Sequence, residues 1–439
     1  MPEPGRGSAP SRERGAPRVE GTTAPGWESV RTAFAEGQYG DSGAAQLAVH
    51  HRGEQVVDLW AVPSPDPREA TPAEVPAAGR PFDGDSVGVL MSAGKGVLAV
   101  CAHLLAERGL LRLDAPVVHY WPQYGRHGKE HTTVADVLAH RAGLPAFGGG
   151  LGVPELYDWD ACAGALAAAA PVWTPGSAFL YHPLTFGHLT GELIRRADGR
   201  SPGAFLAEEV AGPLGLALWF GLPQTEEYRF VPQFSSPERP PPAPEEVTAA
   251  LAAAGLDPGR PLTTALLASF GELRAVVEGF GTRRGRAAQL PGAGGIGNAR
   301  SLSRLYAALL GPVDGVRLLG ESTVERARTC VTDPLAPPAP LDRLDGPDRS
   351  RFGLGFELPR PGEPLLGPGS FGHAGAGGRL GLAHPESGVS LAYTCTAMSW
   401  VPERGPDPRW LPWTRAVRRI VEAGEPGAAG DARTRGTSP

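Results

Sequence analysis

The sequence predicts an α/β chain of the α+β type: one antiparallel sheet assembled from both ends of the chain, flanked by helices, with a mostly helical block inserted between them. Three observations predict it. Alternating apolar residues run through QLAVHHRGEQVVDLW near the start and again through LGLAHPESGVSLAYTC near the end, the signature of strands. Between them, Val97, Leu98, Cys101, Leu104 and Leu105 fall at one-face helical spacing and stop at Gly109. No self-similarity at solenoid periods is present.

In chain order, residues 1–25 are rich in Gly, Pro, Arg and Ser and almost devoid of large apolar side chains, so burial cannot offset their ordering entropy and a disordered tail is expected. A short helix follows around Trp27 to Glu36. The first strand pair turns at Arg52-Gly53, with Leu47 and Val49 alternating on one arm and Val56 to Trp60 forming the other. AGALAAAAPVW from Ala163, cut by Pro171, reads as a buried helix. SSPERPPPAPEE from Ser235 and PLAPPAP from Pro334 read as surface loops. The second hairpin turns between His384 and Gly388 and then places Val389, Leu391, Tyr393 and Cys395 on one face. Residues 424–439 form a second expected tail. The division is therefore one domain over 26–423, with a sheet part at about 26–90 and 350–423 and a helical part at about 91–349.

Composition narrows the function classes. Lys plus Arg total 41 against 47 Asp plus Glu, a net charge of -6, which argues against nucleic-acid binding through a broad basic surface. Cys101, Cys162, Cys330 and Cys395 are too few and scattered for a disulfide framework and show no metal-type spacing. The N-terminal stretch has arginines but no apolar leader core, and no spanning segment follows. The expectation is a soluble cytoplasmic protein with no membrane partner.

Several motifs fail on context. Gly84-Asp85-Ser86-Val87-Gly88 spells G-x-S-x-G, but no buried strand precedes it. Gly292-Ala293-Gly294-Gly295-Ile296-Gly297 spells G-x-G-x-x-G, yet it follows RRGRAAQLP and reads as a loop entering the helix NARSLSRLYAALL. Met91 to Gly96 contains Gly-Lys without the earlier glycine or the following Ser/Thr of a phosphate loop. His127 and His131 lack a third ligand and read as solvated surface.

Ser92-Ala93-Gly94-Lys95 survives. A spacing of three on a helix places an amine one turn from a hydroxyl, where it can accept the hydroxyl proton. The free N–H groups of a helix start favour a developing oxyanion. Lysine becomes a good base when burial lowers its pKa, which the apolar helix after it can supply.

The order Ser92-x-x-Lys95, then Tyr181 in PGSAFLYHPLTFGHLTGELIRR, then His373-Ala374-Gly375 in FGHAGAGGRLG resembles the serine β-lactamase and penicillin-binding-protein superfamily, in its class C and family VIII esterase branch. LDAPVVHYWPQYGRHGK, TTVADVLAHRAGLP, WTPGSAFLYH, GPLGL and FGLGFELP carry the resemblance over about Gly26 to Gly424. It implies that Ser92 is acylated, that Lys95 assists proton transfer, and that Tyr181 acts as general base and then acid. It also implies that His373 stands where lactamases have the lysine of Lys-Thr-Gly, and that the backbone N–H groups of Ser92 and Ala376 form the oxyanion hole. The second motif is Tyr181-His182-Pro183, with Pro183 where the superfamily usually has an asparagine; this implies an ester rather than a lactam substrate.

The function so implied is a serine acyl-transfer enzyme that passes through acyl-Ser92 and hydrolyses a small ester, thioester or amide, with no metal or cofactor. A transacylase of secondary metabolism using the same intermediate is the alternative. A non-catalytic binding protein on the same fold is the second, disfavoured by the presence of both Ser92 and Lys95.

Overall fold

Arg52 and Gly53 both adopt positive φ, 53° and 87°, the backbone that a two-residue hairpin needs to match strand twist, and the expected first hairpin forms across them. The computed structural model describes residues 15–64, 80–148, 151–237, 239–257, 259–344, 346, 349–400 and 406–424. Its strands are β1 (Arg18–Thr23), β2 (Ala45–His51), β3 (Glu54–Val62), β4 (Gly88–Val89), β5 (Leu218–Phe220), β6 (Phe234–Ser235), β7 (Gly295–Gly297), β8 (Arg351–Phe352), β9 (Glu357–Leu358), β10 (Phe371–Gly375), β11 (Arg379–His384), β12 (Val389–Cys395) and β13 (Ala397–Met398). The helices are α1 (Glu28–Gly37), α2 (Gly94–Glu107), α3 (Val134–Leu138), α4 (Trp159–Ala168), α5 (Thr185–Asp198), α6 (Pro202–Leu206), α7 (Gly212–Leu214), α8 (Pro244–Ala253), α9 (Pro261–Gly279), α10 (Arg283–Ala287), α11 (Ala299–Leu310), α12 (Glu321–Arg328) and α13 (Leu411–Gly424).

The main sheet runs β1-β3-β2-β12-β11-β10-β9-β8, antiparallel at every pairing. The two halves of the chain meet where β2 pairs with β12, Val49 opposite Leu391 and Leu47 opposite Tyr393. Leu47, Val49, Val389, Leu391 and Tyr393 face α1 and α13, packing with Phe34, Trp413 and Val417. Burying each such aliphatic side chain stabilises by about 1.5–3 kcal/mol. The other face carries Ala48, Ala383 and Ala392 against Leu302, Leu305 and Tyr306 of α11. Small residues are required there: a Cβ on Gly381 would lie 2.7 Å from Leu302. Polar pins fix α11, with Ser390 Oγ donating to the Ser303 carbonyl at 2.9 Å and His50 Nδ1 2.8 Å from Ser303 Oγ. Burial lowers the His50 pKa to about 4, so its ring is neutral there.

Three expectations change. Arg18–Thr23, inside the segment expected to be a tail, is an edge strand paired with β3 from Arg18↔Val62 to Thr23↔Val57. Backbone pairing holds it, and its side chains are only alternately covered, so it carries no apolar signal. The helical block also contributes strands, β5 and β7 to a second sheet β4-β7-β5 and β6 to a short parallel pair with β13; strands of two or three residues are too short to show alternation. The glycine-rich run that was read as a loop enters α11 through β7, and a Cβ on Gly297 would lie 2.3 Å from Leu218 of β5. Finally, α11 lies within the 91–349 stretch yet packs on the main sheet. The expected tails at 1–14 and 425–439 lie outside the described residues.

Candidate active site

β4 leads through the 3₁₀ turn Met91–Ala93 directly into α2, so Ser92 sits on a strand-turn-helix corner. Met91 before it is buried and holds φ at 51°, a left-handed conformation costing about 1–3 kcal/mol in a non-glycine residue. The Leu90 N–H donates to the Gly295 carbonyl at 2.7 Å, which ties the corner to β7. On the other side β10 presses against it: a Cβ on Gly375 would lie 2.5 Å from the Leu90 carbonyl oxygen and 3.2 Å from the Ala93 nitrogen. Only glycine lets the strand come this close to the serine.

Lys95 is fully buried. Its Nζ lies 3.0 Å from Ser92 Oγ and donates to the Pro183 carbonyl at 2.7 Å and to the Gly292 carbonyl. Desolvation holds its pKa well below the ordinary lysine value, against a smaller opposing pull from Glu357. Tyr181 stands over the amine, with Nζ 4.9 Å from its ring centre. Burial raises the Tyr181 pKa above the ordinary phenol value, opposed by a hydrogen bond with Ser92. The structure therefore places a hydroxyl, a desolvated amine and a protonated phenol together.

His373 lies on β10 with its ring 5.9 Å from that of Tyr181. Its Nδ1 is 2.6 Å from the Ala374 carbonyl and 3.7 Å from Glu357 Oε2, and its buried Nε2 has no partner among the described residues. Burial first, then the nearby Lys95, lowers its pKa to about 3, so the imidazole is neutral. Ala376 follows β10 in the turn that returns the chain to β11.

The three carbonyls of that turn are each held by buried donors. Arg379 Nη1 donates to the Ala376 carbonyl at 3.1 Å, Arg409 Nη2 to Gly377 at 2.6 Å, and Trp410 Nε1 to Gly378 at 2.9 Å. Arg409 is itself paired with Asp407 and Asp41. Arg409→Ala is expected to cost about 3–5 kcal/mol of unfolding free energy, because it strands the buried Asp407 carboxylate and the largely covered Asp41 carboxylate. Urea denaturation measures this, and a loss under about 1 kcal/mol would refute the clamp.

Other residues of the site escaped the sequence reading. His140, at φ 59°, packs its ring 4.9 Å from Tyr181 and 4.7 Å from Phe352, and its Nδ1 accepts the His182 N–H at 3.1 Å. His182 is structural: its Nε2 accepts the Leu144 N–H and its Nδ1 is 2.6 Å from the Leu180 carbonyl. Pro183 and Gly292 act through carbonyl oxygens, which no side-chain motif reveals. Close approach explains Gly292, since a Cβ there would lie 2.5 Å from the Leu184 carbonyl oxygen. Ser86 is buried in a turn against Asp83, its Oγ 3.2 Å from Asp83 Oδ1. His127 and His131 are exposed, and the described residues contain no group of His, Cys, Asp or Glu arranged to hold a metal ion. All four cysteines are free, and among the described residues no helix is long and apolar enough to cross a membrane.

The Beta-lactamase family model matches residues 30–411. The chain belongs to that family. Among curated relatives, the Esterase/beta-lactamase LipL of Mycobacterium tuberculosis (strain ATCC 25618 / H37Rv) is 33% identical over 389 residues, covering 85% of this chain and 82% of the relative. A family VIII carboxylesterase structure superposes with TM-score 0.71 at 30% identity, over 92% of this chain and 100% of the other. EstA from Arthrobacter nitroguajacolicus Rue61a gives TM-score 0.73 at 30% identity, over 92% and 98%. The Beta-lactamase family fold thus accounts for the large antiparallel sheet with its helices.

Proposed function

We propose that this chain is a serine esterase that hydrolyses small esters through an acyl-Ser92 intermediate. The observation that carries the reading is the buried Lys95 amine 3.0 Å from Ser92 Oγ and tethered to two backbone carbonyls. In its neutral form the amine spends its two hydrogens on Pro183 and Gly292 and keeps a lone pair for the Ser92 hydroxyl proton. Ser92 Oγ attacks the ester carbonyl as Lys95 takes that proton. The oxyanion rests on the Ser92 and Ala376 N–H groups, neither of which has a backbone acceptor among the described residues. Tyr181, kept protonated by burial, gives its proton to the leaving alkoxide, and Lys95 restores it. The resemblance assigned the first proton transfer to Tyr181; the opposite pKa directions of the two groups favour Lys95 as the base. Water then attacks the acyl-enzyme by the same steps in reverse. The likeness to LipL, an esterase/beta-lactamase, and to a family VIII carboxylesterase supports an ester substrate.

An activated ester should outrun a β-lactam. Pro183 has no side-chain amide to hold a lactam acylamide, and His373, neutral through burial, supplies no cation for a lactam carboxylate. Parallel kinetics on a p-nitrophenyl ester and a chromogenic cephalosporin should show a higher kcat/KM for the ester. Equal or reversed values refute the assignment. Adding alcohols or amines to the ester assay separates hydrolysis from the transacylase alternative, which would form acylated acceptor in preference to free acid.

A further inference from the structure

Beside the nucleophile corner lies a cavity of about 430 Å³, within the size range that buries most of a small ligand. Met91, immediately before Ser92, and Ala376 and Gly377, in the turn after β10, form part of its wall. Phe270, Leu273 and Val277 of α9 form another part, with Met398 and Trp400. The three α9 residues share one helical face and stay half-buried, whereas Ser269 and Val276 on the adjoining face are buried against the body. The Pro-rich segment read as a surface loop closes the cavity through Pro241, Pro242 and Pro244. Its charged lining residues among those described, Arg274 and Glu278, pair with each other at 3.0 Å, so the described wall offers no unpaired charge to an ionised ligand.

The position of the cavity decides which half of a substrate it takes. In acyl transfer the carbonyl carbon meets Ser92 Oγ and its oxygen meets the two amides, leaving the acyl chain and the leaving group to opposite sides. The leaving oxygen must lie within reach of the proton donor. Tyr181, Lys95 and His373, like Ser92 itself, are absent from the described lining of the cavity, whereas Met91, which precedes the nucleophile, and Ala376, whose N–H is the second oxyanion donor, belong to it. The geometry points to this cavity as the acyl-chain site, selecting an uncharged, medium-length alkyl acyl group; the inference rests on the acyl-Ser92 reading above.

Two ester series test it: p-nitrophenyl esters from acetyl through butanoyl and octanoyl to dodecanoyl, and acetates of alcohols of the same lengths. The first series should gain about fourfold in kcat/KM per methylene until the cavity is full, then level or fall. The second should show no such rise. Leu273→Trp and Val277→Trp should lower octanoyl turnover by about tenfold or more while the acetyl ester changes by less than about threefold. A wild-type profile that is flat or falls from acetyl onward overturns the proposal, as does a rise confined to the alcohol series. Equal losses for both acyl lengths in natively folded variants also overturn it. Should tryptophan prevent folding, Leu273→Ala must shift the optimum toward longer chains; an unmoved optimum counts against the site. Absence of turnover on every ester, with Ser92 unlabelled by a fluorophosphonate, sinks the acyl-enzyme reading itself, whereas turnover without chain-length selection sinks only the acyl site.

Discussion

Ser92→Ala is expected to reduce ester kcat/KM by about 10⁴-fold or more, the scale on which removal of a nucleophile cripples a serine hydrolase. Ser86, the other serine in a nucleophile-like motif, is not equipped to replace it. The Ser86 hydroxyl is locked in a buried turn with Asp83, where no amine adjoins it, whereas Ser92 has the Lys95 amine at 3.0 Å. A fluorophosphonate should therefore modify Ser92, and peptide mapping by mass spectrometry should find the adduct there. An adduct on Ser86, or undiminished turnover by Ser92→Ala, would defeat the assignment.

Lys95→Ala should lower the acylation rate by about 10²- to 10⁴-fold, the usual contribution of a positioned base, and Tyr181→Phe should fall in the same range because the leaving alkoxide loses its proton donor. His373→Ala should cost less, since a neutral imidazole orients and polarises without carrying the proton. The pH dependence separates Lys95 from a purely structural lysine. A base must be unprotonated, so kcat/KM should rise as pH increases through the Lys95 pKa. Desolvation places that pKa well below 10.5, so the acid limb should lie well below the ordinary lysine range. The limb should vanish from the residual activity of Lys95→Ala. A limb that persists unchanged in that variant would transfer the proton to another group.

Much of the architecture was legible because it is written in local periodicity. Leu47, Val49, Leu391 and Tyr393 alternate because one face of their sheet meets α1 and α13, and the Arg52-Gly53 turn declares its own hairpin. β1 was illegible because an edge strand is held by backbone hydrogen bonds to β3, which any side chains permit. β4, β5 and β7 were illegible because two or three residues cannot display a period, and because Gly295 and Gly297 are chosen for what they leave empty. The Pro-rich stretch at 235–246 is the mostly exposed surface loop its composition predicts, but that it borders a cavity beside α9 was illegible, because the contact joins segments with no local pattern in common.

By itself the sequence determined that Ser92 and Lys95 are neighbours. Three residues on a helix start are brought together by local backbone geometry, whatever surrounds them. Only the tertiary structure decided that this lysine is buried and tethered. Its charge state depends on removal from water, and its orientation depends on the carbonyls of Pro183 and Gly292, 88 and 197 positions away in the chain. Those groups carry no side-chain signature, and a solvated lysine at the same spacing would remain protonated at neutral pH.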